Sequence, residues 1–145
     1  MDEDAQRQLA KDLFGRTWTL LETDGRTAEQ DDEMIHAAHA SRFHWGEVGG
    51  PEHRARGEWQ ISRVYSVLGR GEPAIHHASR CLETCEENGI YDWDLAFAYE
   101  ALARAHATAG DTAEAARYKE LAREAGEQIA DADDRDIFDA DFATL

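Results

Sequence analysis

The chain has 145 residues and a formal net charge of −16, from 15 Lys+Arg set against 31 Asp+Glu. That length is one ordinary domain, burying roughly 70% of the surface its unfolded chain would expose, so folding requires neither metal nor disulfide. The charge excludes the simplest nucleic-acid and anionic-membrane readings, because both surfaces call for a cationic face.

No apolar run is long enough to span a bilayer, and no basic segment followed by an apolar one opens the chain. A cytoplasmic location is therefore expected. Only two Pro occur, Val stands at three positions and Ala is abundant, which biases the chain toward helix. Arg outnumbers Lys heavily, and with the Ala and acid content this fits a high-GC bacterial genome or a salt-adapted one.

The first predicted helix covers about residues 4–22, with Leu9, Leu13, Phe14, Trp18 and Leu21 on one face. Asp24-Gly25 breaks it. Thr27 reads as an N-cap with Gln30 completing a capping box, so a second helix runs from about 28 to 46. Pro51 suits the first turn of a third helix reaching about 68, although Gly57 is expected to delay its start. Gly69-Arg70-Gly71 separates it from a fourth, 72–88, which Asn88-Gly89 closes. The fifth runs from about 92 to 109 and the sixth from about 112 to 130. Residues 131–145 form an acidic tail or cap with six Asp and the apolar Ile137, Phe138, Phe142 and Leu145.

Two stretches, 58–85 and 99–126, align at a constant offset of 41 residues. Ile61-Ser62-x-x-Tyr65, Gly69, Ala74 and Cys81 correspond to Leu102-Ala103-x-x-His106, Gly110, Ala115 and Ala122. Small residues let helix backbones approach, a large apolar residue fills the gap, and glycine permits the turn. A degenerate third copy begins at Phe14-Gly15-x-x-Trp18. The pattern resembles the tetratricopeptide repeat, a helix-turn-helix unit of about 34 residues. The family's tryptophan and terminal proline are less well kept, and the spacing is longer. The resemblance implies an all-α, TPR-like superhelix of about six antiparallel helices in three hairpins, a single domain over 1–130. It also implies a non-enzymatic protein-interaction module that binds a peptide or protein in a concave groove.

In this register an arginine follows the small residue of each first helix: Arg16, Arg63 and Arg104. If first helices line the groove, these three make a basic strip suited to acidic peptides, since guanidinium grips carboxylate in a fork. Trp59 and Phe97 flank it as apolar contacts. The 131–145 tail is either a polar cap on the last repeat or a ligand supplied in cis.

Other chemistry is thinly signalled. Glu33-x-x-His36, with His39 and His44, has the spacing of a helix-borne metal site, which makes a metal-binding helical protein the alternative function. No second Glu-x-x-His exists, and Ala37, Ala40 and Phe43 beside His36 and His44 suggest a packing stripe instead. His77, Cys81 and Cys85 step along one face, about 12 Å from end to end, too far for one ion. The two Cys are expected as free core thiols. No nucleophile elbow and no phosphate loop is present, so neither enzyme activity nor a cofactor is expected. A weaker idea places a small molecule in an aromatic pocket near Trp18, Trp45 and Trp59.

Overall fold

A computed structural model describes all 145 residues, and it is all-helical. Seven helices follow one another: α1 (Glu3–Leu21), α2 (Ala28–Val48), α3 (Pro51–Val67), α4 (Gly71–Glu87), α5 (Asp92–Thr108), α6 (Thr112–Glu127) and α7 (Ala132–Phe142). The closest packing joins α1 to α2, α3 to α4 and α5 to α6; α3 also touches both α1 and α5.

Local chemistry sets the boundaries. Thr27 caps α2 through a complete capping box with Gln30, satisfying donors that a helix start leaves open. Pro51 stands at the start of α3, where its missing N–H costs nothing. Gly57 does not delay that start. A Cβ on it would lie 2.8 Å from Arg42 Cδ, so its role is close approach of α3 to α2.

The 41-residue spacing persists in the backbone: both ends of α5 lie 41 residues beyond those of α3. Each of these helices ends in the same turn. Gly69 (φ 74°) and Gly110 (φ 82°) adopt the left-handed conformation, and the following N–H reaches back to Tyr65 O or His106 O at 2.9 Å.

The main core gathers Leu20, Met34, Ile61, Val64, Ala74 and Leu102 from the first five helices. Small residues dominate the second cluster, Ala55, Cys81, Cys85 and Ala98. Both Cys are free and buried. The hydrogen bond with Cys85, together with burial, pushes the Cys81 thiol well above its ordinary range.

The acidic tail is largely a seventh helix. Asp131 caps it by accepting from Asp134 N at 2.9 Å, and Phe138 is buried against Ala96, Ala122 and Ile129. Gly126 has no Cβ where the Phe138 ring sits against α6. Asp92 holds the junction from the other side. Its backbone is left-handed (φ 57°), and its carboxylate accepts the Ala130 N–H at 3.0 Å. No helix is long and apolar enough to cross a membrane.

Candidate functional site

Glu100, on α5, is fully buried. A buried carboxylate must be matched by donors, and it is. Arg104 donates from Nε (2.9 Å) and Nη2 (2.7 Å), Arg63 from Nη1 (3.3 Å), and Trp59 from Nε1 (3.2 Å). The same arginines reach α7 and its end. Arg63 Nη2 donates to Asp141 Oδ1 at 3.1 Å; Arg104 Nη2 donates to Asp141 O at 3.2 Å and Thr144 Oγ1 at 2.7 Å. Two of the three arginines in register thus converge on the C-terminal segment.

Arg16 is elsewhere. It pairs with Glu33 of α2 at 2.6 Å, both side chains half exposed, and that hydrogen bond holds the Glu33 carboxylate below its ordinary range. The spacing that relates α3 to α5 does not extend to α1, whose two ends lie 48 and 46 residues before those of α3.

Both Trp18 and Glu22 line a cavity of about 570 Å³, together with Trp59 and Phe97. Its walls come from α1 (Phe14, Trp18), α3 (Ala55, Arg56, Trp59), α4 (Cys81), α5 (Trp93, Asp94, Phe97) and α7 (Ile137, Ala140, Asp141). The rings form a continuous series: Trp18–Trp59 at 5.5 Å between centroids, Trp59–Phe97 at 5.6 Å, Trp93–Phe97 at 6.3 Å and Phe97–Phe138 at 5.3 Å. Tilted and edge-to-face contacts of this kind suit the ring quadrupoles. Arg56 lies over Trp93 at 4.3 Å and grips Asp94 through two bonds of 3.1 Å. Glu22 makes no ion pair or side-chain hydrogen bond; Trp45 lies outside this cavity, stacked on His53 at 4.1 Å.

The four candidate metal ligands turn to separate partners. Glu33 meets Arg16, His39 Nε2 lies 2.8 Å from Tyr65 Oη, and His44 Nδ1 lies 3.0 Å from Gln6 Nε2. His36 faces solvent. The expected packing stripe beside it is also absent at one end, because Phe43 is 62% exposed. No three His, Cys, Asp or Glu side chains come together as a metal site would need. His77 instead joins a polar cluster between α2, α3 and α4: its Nδ1 is 2.6 Å from Glu58 Oε2, and Arg42 donates to Glu58 Oε1 at 3.1 Å. Burial raises the Glu58 carboxyl, but His77 and Arg42 outweigh it and leave the group below its ordinary range. Burial lowers His39.

Sequence reasoning passed over Glu100, Arg56, Asp94, Phe14 as a cavity wall, Trp93, Ile137 and Ala140. Trp93 offered a signal, a large aromatic one turn before Phe97 on the same helix. Glu100 offered none among 31 acids. The chain matches no family model, no curated protein and no solved structure.

Proposed function

We propose that this chain is a non-enzymatic, cytoplasmic interaction module of TPR-like architecture, in which α1–α6 are three hairpins and the face shared by α1, α3 and α5 receives a protein segment. One observation carries the reading: Arg63 and Arg104, from successive first helices, both hold the acidic C-terminal segment at Asp141 and Thr144. An acidic helix supplied in cis is the kind of ligand this face accepts. Trp59 and Phe97 supply the apolar contacts beside it, and Arg16, paired on α2, takes no part.

The test offers a synthetic peptide of residues 131–145 in trans. Arg63 and Asp141 form a single, partly buried ion pair, so binding in trans should be modest and reduced by salt. Loosening the resident helix with Phe138→Ala should tighten it. Arg63→Gln, which leaves Arg104 paired with the buried Glu100, should reduce that gain while helix content is kept. Equal binding by this variant would overturn the proposal.

A further inference from the structure

The aromatic cavity beside α7 has a chemistry of its own, separate from the arginines that hold the tail. Nine of its thirteen lining residues are hydrophobic, and its volume of about 570 Å³ falls within the roughly 300–1,000 Å³ of small-molecule sites. We propose that it binds a lipophilic aromatic monocation. Three observations select that class.

The first is ring content. Phe14, Trp18, Trp59, Trp93 and Phe97 contribute π-faces and edges from three helices, and tryptophan faces attract cations most strongly. Arg56 already lies over Trp93 at 4.3 Å and Arg63 over Trp59 at 5.9 Å, leaving Trp18 for a ligand. The second is the charge inventory. Arg56, the only cation in the lining, is neutralised by two bonds to Asp94, and Asp141 is neutralised by Arg63. Glu22 is exposed at the C-cap of α1 and carries no ion pair, which leaves one uncompensated negative charge at the cavity. An anion would meet that carboxylate and find the one cation of the lining already bound to Asp94. The third is the field of the whole chain, whose −16 charge concentrates cations at its surface and repels anions.

Tetraphenylphosphonium and tetraphenylborate have the same shape and opposite charge, so calorimetric titration of the full chain with each separates charge from bulk. Tetraphenylphosphonium should bind at one site per chain, at least ~10-fold more tightly than tetraphenylborate. Glu22→Gln should weaken the cation roughly 1.5-fold to fivefold and narrow the gap between the two ions. Ala140→Trp, which fills the cavity from the exposed side of α7 without changing charge, should abolish the site with helix content intact. Equal affinity for the two ions would overturn the proposal. So would cation uptake that never saturates, or that survives Ala140→Trp, because either marks diffuse attraction to an acidic surface. These readouts involve no peptide, so they stand or fall apart from the tail-binding experiment.

Discussion

Glu100 shows how differently two ion pairs on one protein can weigh. It is buried, and its partners Arg63 and Arg104 are 15% and 18% exposed, so removing it leaves two guanidiniums with one carboxylate, Asp141, between them. Breaking a buried pair typically costs about 3–5 kcal/mol. Glu100→Ala should lower unfolding free energy by about that amount in urea titrations. Arg16→Gln touches only an exposed pair, and its unfolding midpoint should match the parent. Histidine protonation acts at the same scale. Burial, with His77 and His36 nearby, lowers His39 below its ordinary value of 6.5, although Glu58 pulls the other way. The folded state therefore binds fewer protons than the unfolded chain. Stability from this group is complete above about pH 6.5 and is lost as pH falls toward its folded value. His53, lowered by burial against Trp45, adds in the same sense. Stability measured between pH 7.5 and 5 should fall, and His39→Gln should flatten the slope. A slope unchanged by the substitution would refute the assignment.

Among elements, the hairpins depend on close approach as much as on apolar bulk. Gly71 opens α4 where a Cβ would lie 2.6 Å from Ala109 Cα, at the end of α5. Backbone cannot swing aside as a side chain does. Gly71→Ala should cost about 1–3 kcal/mol, the usual range for overpacking, read as a lower melting temperature with unchanged helix content. The seventh helix is anchored differently, its apolar contact centred on one ring. Phe138 is 1% exposed, and truncating a buried Phe costs about 3–5 kcal/mol. In Phe138→Ala the loss is limited by the free energy of undocking α7. Hydrogen exchange should therefore show residues 132–142 opening while α3 and α5 stay protected. Global unfolding in place of local release would show that α7 belongs to the main cooperative unit.

For the molecule as a whole, self-repulsion is the dominant electrostatic fact. Thirty-one acids against fifteen bases oppose compaction, and salt screens that repulsion within about 10 Å at 0.1 M. The melting temperature should rise between 10 mM and 0.5 M sodium chloride. A fall would mean that the ion pairs around Glu100 and Glu58 outweigh the net charge.

Much of the helical framework is legible in the residues themselves. Helix starts at Thr27 and Pro51, and turns at Gly69 and Gly110, follow from capping and left-handed backbone, which are local properties that neighbours in sequence settle. The 41-residue spacing is local in the same sense, because it counts helix and turn lengths. The helicity of 132–142 is different. Asp131 caps it, but Asp inside a helix is unfavourable, and contacts distant in sequence, Phe138 on α5 and α6 and Asp141 on Arg63, tip the balance. The candidate site depends still more on tertiary structure. Arg63 and Arg104 could be paired by register because one spacing relates α3 to α5, whereas the packing of α1 turns Arg16 away and brings Trp18 and Glu22 to the cavity. Glu22, one acid among thirty-one, and Glu100, another, differ only in what surrounds them. Surroundings made by helices distant in sequence are set by packing, and that is the part no local pattern carries.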